Sequence, residues 1–208
     1  MLTGAAITIS PGYEEVLALT RDGIGSPGTW LSGHERVGVA AEARASLAGD
    51  PGPGASISQE LAEVAHAVAE APADITPEWI EDLERRGLDR FSYVEAAGIV
   101  CRIAVIDTFA LGVGAETPSL PEARSGEPSR VPVRGAVISR AWVPMVGPGH
   151  ALSSLSAVEE ERDSMQRISD VLYLEQVDAT GAVEKGGLVR SQIELVAART
   201  SYLNDCFY

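Results

Sequence analysis

Residues Gly187 to Tyr208, GLVRSQIELVAARTSYLNDCFY, read as an amphipathic helix running into a cysteine. The positions Val189, Ile193, Val196, Thr200 and Leu203 follow one another in alternating steps of four and three, which sets them on one helical face. Glu194 lies inside this helix. Asn204 and Asp205 are poor helix-interior residues and good N-caps, so Cys206 is expected in the first turn of a further helix. Unpaired N–H groups and the positive end of the helix dipole favour a thiolate there. A thiol at a helix start is usually half of a pair. The position that would complete C-x-x-C is the first one beyond Tyr208.

Upstream, the same helical period recurs. Gly33 to Leu47 is expected to form a helix with Val37, Ala40, Ala41 and Ala45 as its small apolar residues, closed by Gly49. DPGPGA at Asp50 to Ala55 is a loop by its Pro and Gly content. Ser56 and Gln59 form a capping box ahead of Leu61, Val64, Ala65 and Val68. Pro72 stops that helix, and Thr76-Pro77-Glu78 starts another, with Ile80 and Leu83 facing inward and Gly87 at its end. Ser92 and Glu95 read as a further capping box, with Phe91 and Ala96 as a hydrophobic staple. The helix they open, Tyr93 to about Leu111, is apolar on most sides and is expected at the centre of the first unit.

Between Gly114 and Gly149 stand Pro118, Pro121, Pro128, Pro132, Pro144 and Pro148, a density that no helix or central strand survives. Within this arm Trp142-Val143-Pro144-Met145 is apolar and is expected to dock on a neighbour. A second helical block begins near His150, with Leu152, Leu155 and Val158, then Met165, Ile168 and Leu172, as its stripe. Asp178 to Gly187 reads as a turn region. No stretch shows convincing strand alternation, so the expected class is all-α. The expected organisation is an irregular leader over 1–29, a first helical unit over 30–114, a Pro/Gly-rich arm over 115–149 and a second unit over 150–208. Ser58-Gln59-Glu60-Leu61 echoes Ser191-Gln192-Ile193-Glu194, so the two units read as a degenerate repeat.

Over its 208 residues the chain is 45% hydrophobic and carries a net charge of −14. Mean hydropathy is near zero, as in ordinary globular proteins. With no basic patch, nucleic acid is not an expected partner. The acidity also argues against anionic membrane surfaces. Ala96 to Gly114 is the most apolar stretch, but it contains Arg102 and Asp107 and reads as a buried helix, not a membrane span. The N-terminus, MLTGAAITISPGYEE, has no basic region and no long apolar run, so it is not read as a signal peptide. Two cysteines make no disulfide framework, and a reducing cytoplasm fits them best.

RSQIELVAARTSYLNDCFY resembles the segment leading into the redox motif of the alkylhydroperoxidase D-like family, within the carboxymuconolactone decarboxylase-like superfamily. The family pattern is a helix carrying a glutamate, then C-x-x-C-x-x-x-H about a dozen residues later. Glu194 and Cys206, twelve apart, match its first two elements. Trp30 to Gly114, and the chain from Trp142 onward, resemble more loosely the two-domain, peroxidase-related members.

The resemblance implies a helical bundle of two related units, the first without redox cysteines and the second incomplete. It implies a cofactor-free antioxidant peroxidase, acting on a hydroperoxide, regenerated by a thiol reductant protein or small thiol, and assembled as a homo-oligomer. In that chemistry one thiolate attacks the peroxide and becomes a sulfenic acid, and the other thiol condenses with it to a disulfide. Carried over, Cys206 is the resolving thiol and Glu194 the carboxylate of a proton relay. The attacking position and the relay histidine have no counterpart within the 208 residues. The chain is therefore expected to be a fragment without turnover. A UGA codon read as selenocysteine, a frameshift or an ordinary stop would each account for its end.

Competing readings stand beside these. Cys206 is otherwise a small buried hydrophobe near a frayed terminus, and Glu194 a helix-surface residue paired with Arg190 four residues before it. Cys101 reads as a core residue, and His66 with Glu63 as a surface pair and not a metal site. His34 and His150 carry no motif. Arg102 and Asp107 are expected to pair with residues of another helix or subunit. There is no phosphate loop, zinc spacing or nucleophile elbow. The alternative to the peroxidase is a non-enzymatic helical interaction module. A lactone decarboxylase without redox cysteines fits the C-terminal match less well.

Overall fold

A computed structural model describes residues 2–50, 52, 54, 57–139, 141–147, 153–173, 184–185, 188–204 and 206. Among these residues the chain is all-α. Its helices are α1 (Pro11–Ile24), α2 (Gly33–Ala48), α3 (Gln59–Glu70), α4 (Pro77–Arg85), α5 (Arg90–Gly112), α6 (Glu159–Leu172) and α7 (Arg190–Leu203). The only paired strands among them are two residues each, β1 (Glu184–Lys185) and β2 (Leu188–Val189), joined antiparallel. No described helix is long and apolar enough to cross a membrane.

The chain divides into two compact units, Met1–Ile168 and Ser169–Tyr208. The division falls inside α6, whereas the Pro-rich arm was the expected boundary. In the first unit α2 packs on α3, both pack on α5, and α1 lies against α5. Ile99, Ile103 and Ile106 of α5, Val39 and Ala43 of α2, and Leu61 and Val64 of α3 form the core.

Several helix starts differ from the sequence reading. The expected leader contains α1: Pro11 occupies the first turn, where its missing N–H costs nothing, and Leu17, Thr20 and Ile24 recur at helical spacing and are buried. Tyr13 stacks on Phe109 of α5 with ring centroids 5.9 Å apart. α3 is capped by Ser58, whose hydroxyl accepts from the Leu61 N–H. The expected cap, Ser56, lies outside the described residues. α5 begins earlier than expected, because Asp89 caps it by accepting from the N–H groups of Phe91 and Ser92. Ser92 is thus inside the helix, and Glu95 is released from any capping role.

Other signals hold. Gly49 ends α2 in the left-handed conformation, with φ 72°, and a capping box of Ser32 and Glu35, which the sequence reading had not singled out, opens it. Thr76 caps α4, with Pro77 in its first turn, and buries Ile80 and Leu83. Gly33 to Leu47 is helical as expected, but its buried face is Arg36, Val39, Ala40, Ala43 and Ser46, a rotation that brings an arginine inward. The expected turn over Asp178 to Gly187 lies largely outside the described residues, as do His150 and Leu152.

The arm after α5 contains no helix before residue 153 among the described residues. It is held chiefly by its backbone: the N–H groups of Arg124, Ser129 and Arg130 donate to the carbonyls of Gly25, Gly28 and Thr29. Close approach demands glycine beneath it. A Cβ on Gly25 would stand 2.5 Å from the Glu122 carbonyl oxygen, and one on Gly33 2.5 Å from that of Arg124. The expected docking of 142–145 is partial. Pro144 and Met145 are buried, Met145 pairs with Val137, and Trp142 is exposed while its carbonyl accepts from Arg90.

Candidate functional site

The residues singled out by the sequence motif lie in the second unit. α7 starts where the Val189 N–H donates to the Gln192 side chain, at 3.0 Å. It buries none of its residues. Leu195 and Tyr202 are 71% and 73% exposed, and Val196 and Leu203 are nearly as open. Glu194 accepts from Arg190, 3.2 Å away, and from the Tyr173 hydroxyl at 3.3 Å. Burial and the nearby Glu194 carboxylate push the Tyr173 hydroxyl above its ordinary value. The Arg190 pair expected of an ordinary helix-surface glutamate therefore forms.

Cys206 lies just past the end of α7, and the further helix expected to begin there falls outside the described residues. Asn204 is the C-cap of α7, its N–H returning to the Thr200 and Ser201 carbonyls, and the Cys206 N–H donates to Ser201 at 2.9 Å. That N–H helps to close the end of α7, whose last carbonyls need partners. Asp205, the other expected N-cap, lies outside the described residues. The thiol is exposed, which removes the buried-hydrophobe reading of Cys206. The structure does not bring Glu194 and Cys206 together. From Glu194 to Leu203 a helix climbs about 14 Å, and Glu194 is engaged by Arg190 and Tyr173 instead.

The first unit holds a polar centre that the sequence reading only half saw. α5 carries Glu95 and Arg102 inward, α2 carries Arg36, and α6 carries Glu161. All four side chains are fully buried. Arg36 forms an ion pair with Glu95 and a second with Glu161 at 3.0 Å. It also reaches Glu160 at 3.2 Å and the carbonyls of Gly23 and Ile24. Arg102 binds Glu161 at 2.6 Å and the Ser164 hydroxyl at 3.4 Å. The other Glu95 oxygen accepts from the Trp30 N–H at 2.7 Å. Arg102 Nε and Glu161 Oε2 have no hydrogen-bond partner among the described residues.

Two glycines permit this centre. A Cβ on Gly98 would lie 2.7 to 2.8 Å from Glu161 side-chain atoms, and one on Gly28 would collide with Glu95 and Arg36. Burial raises the pKa of Glu95, opposed by Arg36. Burial likewise raises that of Glu160. For Arg36 burial works against the charge, but Glu161, Glu95 and Glu160 together hold its pKa above the ordinary value. Arg102 goes the other way, lowered by burial although Glu161 opposes. Cys101, half-buried on α5, is raised by burial and by Glu161. Burial, with Cys101 adding to it, pushes the Tyr93 hydroxyl up to about 12.

The expected pairing of Arg102 and Asp107 with other helices holds. Asp107 receives both guanidinium arms of Arg44 on α2, at 2.7 Å each. His66 turns to Glu42 of α2, at 3.1 Å, while Glu63 engages Arg86 and Gln59, so the expected His66–Glu63 surface pair does not form. Among the described residues no three His, Cys, Asp or Glu side chains converge as metal ligands. A cavity of about 10 Å³ beside Leu17 and Ile106 has room for about one water molecule at most. Comparison with known proteins finds no matching family model, no similar curated protein and no similar solved structure.

Proposed function

We propose that the chain belongs to a thiol-dependent (or selenol-dependent) oxidoreductase that reduces hydroperoxides, with Cys206 as its resolving thiol. The observation that carries this reading is the exposed thiol directly after a helix that buries nothing. Such a thiol is open to attack by a partner sulfur or selenium. In the proposed cycle an attacking thiolate or selenolate takes the distal peroxide oxygen, and the alcohol leaves with a proton. The Cys206 sulfur then displaces water from the resulting sulfenic or selenenic acid and forms the mixed bond. A thiol reductant, protein or small molecule, takes up the oxidising equivalents. Glu194 serves as the relay carboxylate only when it is brought to the sulfur, since it lies near the start of α7 and Cys206 beyond its end.

The test is peroxide consumption and thiol chemistry on the 208-residue chain. The expected result is no turnover with hydrogen peroxide plus dithiothreitol, together with rapid capture of Cys206 by an aromatic disulfide at neutral pH. Turnover that disappears in Cys206→Ser would overturn the resolving role. Capture no faster than that of a small model thiol would remove the redox reading.

A second reading is favoured by α7 itself. Its uncovered apolar residues are those of a helix that docks on another surface, so the chain would act as an α-helical interaction module with Cys206 incidental.

A further inference from the structure

The side chains of α7 divide by exposure into two faces. Arg190, Ile193, Glu194, Ala197 and Ser201 are half-covered and recur at the three- and four-residue steps of one helical face. Ile193, which the sequence sets on one stripe with Val196, is thus turned to the covered side. The opposite face is open. Leu195, Val196, Tyr202 and Leu203 lie on it, Leu188 and Val189 immediately precede it, and each is between 44% and 73% exposed. Gln192 and Arg199 run along its middle, and the Arg199 guanidinium lies over the Tyr202 ring, 5.3 Å from its centroid.

The order of this face is the same from either end. About the point between Leu195 and Val196 it runs apolar pair, polar residue, apolar pair, polar residue, apolar pair. A two-fold contact requires that order, because a patch then meets its own copy with residue i on j and j on i. Laid antiparallel, Leu195 meets the partner's Val196, Val189 meets the partner's Tyr202, and Leu188 meets the partner's Leu203. Arg199 meets the partner's Gln192, whose side-chain oxygen accepts from a backbone N–H and keeps a second lone pair for the guanidinium. A parallel pair would instead set Arg199 against the partner's Arg199, a like-charge contact. Antiparallel packing also puts the positive end of each helix dipole beside the negative end of the other. Two such faces would bury on the order of 1,200 Å², the lower bound for specific, stable interfaces.

We propose that the open face of α7 is a dimerisation surface, and that its occupant is α7 of a second copy, packed antiparallel about a two-fold axis between Leu195 and Val196. The inference rests on the interaction-module reading of α7 and names the partner in it. The exposed Cys206 thiols then stand at opposite ends of a helix pair about 20 Å long, so the pair is non-covalent and needs no disulfide.

The experiment is sedimentation of the full chain from about 1 to 100 μM with dithiothreitol, in enough salt to screen repulsion between two acidic copies. A dimer that forms with rising concentration is expected. Leu195→Glu places a carboxylate at the centre of the pair, opposite the partner's Val196, and should weaken the dimer by about a hundredfold. Leu195 faces solvent in the single chain, so this variant should leave the fold undisturbed. Gln192→Glu decides the orientation. It retains the cap on the Val189 N–H, sets a carboxylate beside the partner's Arg199 on both sides of the axis, and should tighten the dimer by about fivefold. In a parallel pair it would bring two carboxylates together and weaken the dimer. A dimer indifferent to Leu195→Glu, or one weakened by Gln192→Glu, would overturn the antiparallel pair. So would a chain that stays monomeric throughout. If that monomer binds an apolar dye and Leu195→Glu abolishes the binding, the interaction-module reading stands without the pair; if it binds none, both fall.

Discussion

α5 and α7 invite comparison, because each reads in the sequence as the helix around which a unit is built. α5 is covered on nearly all sides and takes Glu95, Arg102 and Asp107 inside with it. α7 has a regular stripe of apolar residues and covers none of them. A helical period states that one face differs from the other. It does not state that the apolar face has found something to cover it. α5 acquired its neighbours within the chain, and the charged residues it carries found partners on α2 and α6.

Four substitutions test that contrast, in descending order of effect. Arg36→Met leaves Glu95 and Glu161 buried without their shared cation, and should cost about 3–5 kcal/mol in denaturant unfolding. A loss below about 1 kcal/mol would mean that water reaches the centre. Ile103→Ala, in the fully buried middle of α5, should cost about 2–5 kcal/mol. Gly98→Ala presses a methyl group against Glu161 and should cost about 1–3 kcal/mol, with loss of protection confined mainly to α6. Val196→Ser on α7 should change stability by no more than about 0.5 kcal/mol at low protein concentration. A large loss there, growing with concentration, would show that a second copy covers the helix.

The sequence was legible where a local signal had a single meaning. Thr76-Pro77 opened a helix, Gly49 closed one, and the proline-rich arm excluded helix. Arg102 and Asp107 announced partners by being charged inside an apolar run. The partners did not announce themselves, because Arg36, Arg44 and Glu161 sit on helices where a charged residue is ordinary. Glu95 was concealed by a false capping signal: Ser92 and Glu95 have the right spacing, but Asp89, three residues earlier, took the cap. Pro11 and Gly12 concealed α1, since a Pro-Gly pair marks a loop or a helix start according to whether apolar residues recur at helical spacing after it. At the C-terminal motif, Asn204 can cap either end of a helix, and the preceding helix used it. The peroxidase resemblance rests on residues that local geometry alone does not assemble.

The backbone anchoring of the arm has a consequence for how freely this protein can be altered. A strap gripped by its amides is largely indifferent to the side chains it carries, and those from Glu122 to Arg130 mostly point to solvent. Recoding that stretch with polar residues, while keeping Gly126, should be nearly silent. The intolerance is displaced onto the floor, where Gly25, Gly28 and Gly33 have no room for even one methyl group. The arm is thus the place to insert a label or an epitope, and the glycine floor is the place to leave untouched.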